Sequence, residues 1–396
     1  MMRHFTQWAP TDFSFRKFRR KVESDGLNSA LIAASELLAK NTIGRPVFDR
    51  LVDYGIIGTI SRSELPKMSS EIYFVNPDRA SKTSPLEPPF VAEINSGYVF
   101  PLTGLAITDQ LEILEESVAS PFQSRQFPMA ALSRQCFFDD FPVCTSLLRS
   151  DKELINTAAR RLETASPLSP RYPNYYHWMI ETVPRIRYLR AYETRTGNDV
   201  TLLVPDDLPS WAEETLTLLE WPEAKIERGT SSVYHIDRLL IPSFPELFVE
   251  DFQWIRQQIL NKVSTVQPPI KPDKNIFISR SNATERRVVN ETEIIEMLSK
   301  YDFELVHLEE NTLLQNSKIF NNSDIIIGPH GAGLTDLIFC SDSTVVELFG
   351  SKIKPPYQRL ASVLNVEYTS LECTPKSTDI IVNPKRLESK INQIMK

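Results

Sequence analysis

Cysteine is nearly missing from this chain. Cys136, Cys144, Cys340 and Cys373 are the only four in 396 residues, and none belongs to a Cys-x-x-Cys pair. That spacing supports neither a zinc site nor a disulfide framework, so a reducing cytoplasm is its simplest home. Long apolar runs are missing too. The start, Met1-Met2-Arg3-His4-Phe5, has no apolar signal core, and no stretch approaches the roughly 18 apolar residues of a spanning helix. The expected localisation is therefore cytoplasmic. Positive charge is in no surplus: a formal net charge of −7 argues against broad binding of nucleic acid, which needs a basic surface. An anionic small ligand stays compatible with that balance, because a local cluster of arginines can oppose it. No Asp-x-Asp triplet occurs, which removes the carboxylate pair that commonly holds a divalent metal against a diphosphate. No Gly-x-Gly-x-x-Gly follows a strand, which argues against an NAD-dependent dehydrogenase. Internal repeats and low-complexity tracts are absent as well.

What is present describes an ordinary globular protein, with 41% hydrophobic and 24% charged residues and enough chain for two domains. The run Arg16, Lys17, Arg19, Arg20 and Lys21 is compatible with peripheral attachment to the inner face of a membrane. A solvated helix face explains such a run more often. The first 70 residues read as helical, with Ala, Leu and Ile at helix-like intervals over Ser29–Lys40. Phe90–Ile107 alternates as a β-meander would, Asp151–Thr164 reads as an amphipathic helix, and a further helix runs from about Tyr175 to Glu193. Strands at Val200–Val204 and Arg238–Ile241 bracket a helix near Ser210–Glu220. The proline-rich Val263–Asp273 is the candidate linker. Beyond it strands and helices alternate regularly: strands Asn275–Ser279, Glu304–Leu308, Asp324–Ile327, Thr344–Leu348 and Val366–Ser370, helices Glu291–Tyr301, Thr312–Phe320, Ala332–Phe339, Pro356–Leu364 and Pro384–Met395. Such alternation predicts a parallel sheet with ligands beyond the carboxyl ends of its strands.

Two groups of residues carry chemistry. In the first, strand Asp324–Ile327 ends in Gly328-Pro329-His330-Gly331-Ala332-Gly333 and leads into a helix. Glycines allow close approach to a ligand, and free amides at a helix start attract phosphate. A tight turn without a ligand is the commoner meaning of a bare Gly-x-Gly, but neighbours shift the balance. Arg280 follows the first strand at the same sheet edge, where a guanidinium can bind a diphosphate bidentately. Arg287 is the second arginine expected there, with Arg286 facing solvent and Asn290-Glu291 serving as N-cap and first-turn acid. Glu347 ends its strand at that edge, suited either to ribose hydroxyls or to an ion pair with Arg280 or Arg287. In the second group, His177 and Glu181 are four apart on one helical face, as a general base and its partner would be, unless they are a satisfied contact in a core helix. The nearby Arg185 and Arg187 read as solvated, and Pro184 as a bend.

Four segments in this order resemble glycosyltransferase family 61, including its bacterial members of capsular polysaccharide biosynthesis. They are Asn174-Tyr175-Tyr176-His177-Trp178 with Glu181 and Pro184-Arg185; Ile278-Ser279-Arg280 through Arg287 and Asn290-Glu291; Gly328 through Leu334; and Val346-Glu347. The resemblance covers roughly Tyr172 to Gly350, and departs at Asp336, where an asparagine is expected, and at Ser323, where an alanine is usual. It implies a GT-B-like α/β fold, two Rossmann-like domains facing across a cleft, here with a mostly helical N-terminal extension. The boundaries expected are 1–89 for the extension, 90–265 for an acceptor-side domain and 266–396 for a donor-side domain, the last helix either staying there or packing back. It also implies inversion, no obligatory metal and no cofactor, the partners being a UDP-linked sugar as substrate and a glycan acceptor. Donor binding then falls to Arg280, Arg287, His330, Gly331, Ala332, Gly333 and Glu347. Glu181 is the base with His177 orienting it, or the reverse. The rival readings are a pyruvyl transferase on a similar fold and a non-catalytic nucleotide- or sugar-binding partner of a polysaccharide-assembly complex.

Overall fold

The computed structural model describes residues 58–75, 89–118, 152–170, 174–230, 233–263, 275–350 and 355–396. The expected helix over Ser29–Lys40, the basic run, Cys136, Cys144 and residues 264–273 of the linker lie outside the described residues. Two compact units emerge. One comprises Met1–Pro173, Glu181–Leu208 and Pro222–Glu246, the other Asn174–Ile180, Pro209–Trp221 and Leu247–Lys396.

The first unit is built on one sheet of ten strands: β1 (Thr59–Ile60), β2 (Glu71–Phe74), β3 (Phe90–Ile94), β4 (Gly97–Phe100), β5 (Leu105–Thr108), β6 (Ile113–Leu114), β7 (Arg160–Pro167), β8 (Thr201–Pro205), β9 (Ile226–Gly229) and β10 (Tyr234–Pro242). The stretch Phe90–Ile107 read as a meander is β3 to β5, but only β4 and β5 pair with each other, while β3 and β4 both pair with β10. Strand β10 is the axis of the sheet, parallel to β7 on one side and antiparallel to β4 and then β3 on the other. The helix expected over Asp151–Thr164 stops at Ala158, and Arg160–Pro167 is strand β7 instead. Its physical reason is long-range: β7 pairs with β10 along one edge and β8 along the other, and two ladders of backbone bonds outweigh a local helical tendency.

Beneath this sheet lies a buried ionic group. Glu116 accepts from Arg62 Nη2 at 2.5 Å and Nε at 3.0 Å and from the Phe244 amide at 2.5 Å. Arg185, expected in solvent, is buried instead, and its Nη2 donates to the carbonyl of Glu116 at 2.8 Å. Burial pushes the pKa of Arg185 down to about 10, while the carboxylates of Glu116 and Glu181 favour its charge.

The chain from Tyr175 is helical as expected, but in three pieces: α over Tyr175–His177, π over Trp178–Thr182, and α over Val183–Thr196, closed by Gly197 in the left-handed region. Pro184 has no N–H to return to the carbonyl four residues back, and the widened turn precedes it. The division between the two units falls after Ile180.

The second unit holds a fully parallel sheet of β11 (Asn275–Ile278), β12 (Phe303–Val306), β13 (Ile325–Pro329), β14 (Thr344–Phe349) and β15 (Glu367–Glu372), in the order β12-β11-β13-β14-β15. Each expected strand and helix appears within about two residues of its expected bounds, as long apolar-periodic segments allow. Two features were not anticipated. A hairpin of β16 (Thr374–Lys376) and β17 (Asp379–Ile381) follows the sheet, and Ala332–Phe339 winds as a 3-10 helix rather than an α-helix. Phe277, Ile327 and Val346 of the sheet pack with Ile294 and Leu298, and the last helix adds Leu387 and Ile391 to this same core. Among the described residues, no helix is long and apolar enough to cross a membrane.

Removing Glu116 takes from Arg62 the closer of its two carboxylates, with Glu246 still at 3.1 Å, and takes from the Phe244 amide the acceptor it has at 2.5 Å. Glu116→Ala is expected to destabilise the protein by about 2–4 kcal/mol. Thermal unfolding followed by circular dichroism measures this, and a melting temperature unchanged from the parent would disprove it.

Candidate functional site

Strands β11 and β13 are neighbours, but β11 leads to β12 on one side while β13 leads to β14 on the other. This reversal of strand order parts the connections beyond the carboxyl ends and leaves a crevice. A cavity of about 430 Å³ lies there, within the second unit. Ile278, Leu308, Leu313 and Leu334 make its apolar wall, Tyr175 and Trp211 an aromatic one, and Arg280, Glu214 and Asp336 give it charge.

Four of the expected donor residues line it: Arg280, Gly331, Ala332 and Gly333. Arg280 follows β11, its Nη2 donates to the carbonyl of Glu285 at 3.2 Å, and its Nε is buried with no protein partner. Burial first, and the Arg286 guanidinium second, push its pKa down from the usual value. Gly331 is required for this placement. A Cβ on it would collide with the Arg280 guanidinium, so the glycine serves the arginine's approach. The 3-10 helix that starts at Ala332 has no side-chain cap on Gly331, which leaves its first amides open to a ligand.

Three expected donor residues do not line the cavity. Arg287 is 48% exposed and is engaged by Asp379, with Nη2 to Oδ2 at 2.7 Å and its backbone amide to Oδ1 at 3.1 Å. The reason is the unanticipated hairpin. Arg286 N donates to Thr378 O at 2.9 Å, and Ile380 N to Arg287 O at 2.9 Å, so the loop is stitched to it. Arg286 takes a left-handed φ of 61°, a conformation that costs a side chain about 1 kcal/mol. The two neighbouring arginines consequently trade places relative to expectation. Arg286 is partly buried, acts electrostatically on both Arg280 and Tyr357, and keeps a buried Nε without a protein partner.

Glu347 is the second correction. Its side chain is 0% exposed, and its Oε1 lies 2.5 Å from Nδ1 of His330 while Oε2 accepts from the Tyr368 hydroxyl at 2.6 Å. A carboxylate so enclosed has no oxygen to offer a ribose, and neither Arg280 nor Arg287 is its partner. His330 thus turns away from the cavity that Pro329 and Gly331 line on either side of it. Its ring stacks on Phe349 at 5.3 Å and meets Tyr357 edge-on at 5.4 Å. With Nδ1 committed to Glu347, Nε2 is the ring nitrogen left for other chemistry. Asn290 is no side-chain cap either: its Oδ1 accepts from the Val382 amide at 3.0 Å and its Nδ2 donates to the Val382 carbonyl at 2.8 Å. Glu291 accepts from Ser279 Oγ at 3.0 Å.

Of the two expected catalytic residues, His177 belongs to the second unit and Glu181, 9% exposed, to the first. Among the described residues, no group of three His, Cys, Asp or Glu side chains is clustered as metal ligands would be.

Sequence reasoning missed the wall formed by Tyr175, Trp211, Glu214 and Asp336. Glu214 accepts from the amides of Leu313 and Leu314 at 2.9 and 3.3 Å, capping the Leu313–Asn321 helix beside its own Thr312–Gln315 capping box. Tyr175 donates to Asp336, and its ring meets Trp211 edge-on at 5.8 Å. The departure at Asp336 and the place of Tyr175 in the first matching segment were the visible signals. Nothing local marks Trp211 or Glu214, which reach the cavity from a helix more than sixty residues upstream of β11.

A test of the structural role of Glu347 follows. Glu347→Ala strands a buried imidazole and a hydroxyl, and a loss of about 2–4 kcal/mol is expected in chemical denaturation. Glu347→Gln should lose less, because its amide oxygen still accepts one of the two bonds. Equal stability of Glu347→Ala and the parent would refute the assignment.

The chain matches the model of a family described as Glycosyltransferase 61 over residues 175–346. It also resembles proteins named EGF domain-specific O-linked N-acetylglucosamine transferase. The one from Pan troglodytes is 32% identical over 124 residues, 30% of this chain and 24% of that protein. The one from Drosophila melanogaster is 34% identical over 110 residues, 27% of this chain and 21% of that protein. The one from Bos taurus is 32% identical over 124 residues, again 30% and 24%. The matched stretch thus spans about a quarter of the length of these relatives. Over residues 175–346, this chain is similar to the glycosyltransferase 61 family.

Proposed function

We propose that the protein is a glycosyltransferase that moves a sugar from a nucleoside diphosphate donor to a hydroxyl of a glycan or protein acceptor. The observation that carries this reading is the meeting, in one cavity at the switch point of a parallel sheet, of Arg280 with the open amides of the Ala332–Phe339 helix. A diphosphate satisfies both at once: guanidinium and amides donate where its oxygens accept. Arg286, next to Arg280, supplies a second positive charge. Leaving-group charge is then offset by fixed donors, and the reading includes a transfer that needs no metal. The apolar and aromatic walls suit a nucleoside, and UDP is the donor nucleotide we assign. N-acetylglucosamine, named in the relatives, is the first sugar to test. The finer reading adds a GT-B-like architecture with a donor-side and an acceptor-side domain, and inversion at the anomeric carbon. Glu181 is the general base we favour, and His177 the alternative.

UDP release from a panel of UDP- and CMP-sugars, with and without EDTA, tests the function. Release from a UDP-sugar, undiminished by EDTA, is expected; silence across the panel would refute the activity, and loss in EDTA the metal independence. Arginine variants test the site. Arg280→Ala should weaken UDP binding by about 2–3 kcal/mol, roughly 30- to 150-fold, and Arg286→Ala by about tenfold. Arg287→Ala should stay within about twofold of the parent, because it breaks only an exposed ion pair. A larger effect at Arg287 than at Arg286 would reverse the assignment.

A further inference from the structure

Asp336 is a carboxyl group in an unusual place. It sits 2% exposed on the wall of the cavity that, on the reading above, takes a dianionic diphosphate. Its Oδ1 accepts from the Tyr175 hydroxyl, and Oδ2 has no hydrogen-bond partner in the protein among the described residues. The only other charge acting on it is a like one, the Glu214 carboxylate on the same wall, and no cation offsets it among the described residues. An ionised carboxyl here would face burial, a second carboxylate and the bound diphosphate together. A neutral one faces none of these, and with Tyr175 donating to Oδ1 its proton belongs on Oδ2, where it can be donated to a ligand.

We propose that Asp336 is a nucleotide-contacting residue that works as a neutral acid, donating from Oδ2 to an acceptor oxygen of the bound nucleotide. The proposal rests on the donor-site reading and adds a residue and a protonation state to it. Burial, against the lowering effect of the Tyr175 hydrogen bond and with a smaller push from Glu214, raises the pKa of this carboxyl to about 7. The neighbours of the Ala332–Phe339 helix supply few rivals for control of the proton. The Tyr175–His177 turn contributes its phenol and carries His177, the Ser210–Leu218 helix contributes Glu214, and the Val249–Leu260 helix carries the buried Asp251 and Arg256, whose charge reaches Cys340 at the end of the same helix. The Pro356–Leu364 helix contributes Tyr357, and the Leu313–Asn321 helix the uncharged Asn316.

The sign of the pH effect is fixed by this chemistry. The binding form is protonated, so affinity is full below the carboxyl's pKa and falls as the pH rises through it. If only the neutral form binds, a pKa of about 7 makes affinity about tenfold weaker at about pH 8 than at about pH 6. UDP-N-acetylglucosamine is a suitable probe because its diphosphate diester and its uracil do not titrate in that window.

Isothermal titration of the full chain with UDP-N-acetylglucosamine at those two pH values decides the matter. The parent should lose about tenfold in affinity between them. Asp336→Asn, which keeps a donor at the same place and cannot ionise, should bind at both pH values as the parent does at the lower. Tyr175→Phe removes the bond that favours the ionised form, so its loss of affinity should move to higher pH. This second variant keeps the test decisive should Asp336→Asn fail to fold. Equal affinity of the parent at both pH values overturns the proposal, as does an unchanged pH dependence in Asp336→Asn, which would point to a histidine instead. In both cases the donor reading survives. Absence of binding by the folded parent at either pH overturns the donor reading together with this one.

Discussion

The candidate site depends on one constraint in a parallel sheet: β11 and β13 lie side by side while their connections depart in opposite directions. The backbone cannot close over that gap, and whatever follows the two strands is left facing it. After β11 comes Arg280, and after β13 comes Gly331. They fit because the glycine has no Cβ to collide with the guanidinium. Arginine, turn and uncapped helix are therefore one arrangement, and each part loses its meaning without the others.

Charge in the second unit is sorted by whether the protein itself satisfies it. Glu347 is fully enclosed, yet both its oxygens have internal partners in His330 and Tyr368, so it fixes an imidazole and asks nothing of a ligand. Arg287 is likewise consumed by Asp379. Among the described residues, Arg280 and Arg286 each keep a buried Nε that no protein group accepts from, and Asp336 lines the cavity. Incompletely satisfied polar groups are costly in a folded core, and a buried arginine of this kind on a cavity wall is what a candidate binding site offers and a packed junction does not.

Much of this was legible beforehand, for identifiable reasons. The alternation from Asn275 onward could be read because apolar periodicity reports which face of each element is buried, and burial there follows the local pattern. Arg280 and the Gly331–Gly333 turn could be placed at the sheet's edge because each follows a strand directly. Where a strand is held by partners distant in sequence the reading failed. Arg160–Pro167 looks helical in isolation and is a strand because β10 and β8 pair with it. Arg286 and Arg287 are indistinguishable as letters, and a hairpin ninety residues later decides which of them turns toward Arg280.

By itself, then, the amino-acid order determined the elements of the C-terminal unit, the sheet edge at which the cavity lies, and the turn and first arginine that stand there. These depend on covalent neighbours and short periods, which a single strand or helix already contains. Tertiary structure alone decided the rest: Arg286 over Arg287, Glu347 as the partner of His330, and a cavity wall of Tyr175, Trp211, Glu214 and Asp336 drawn from three separate stretches of chain. Those assignments depend on which buried group meets which. That is settled by packing among elements far apart in sequence, where one φ angle or one unforeseen hairpin redirects a side chain.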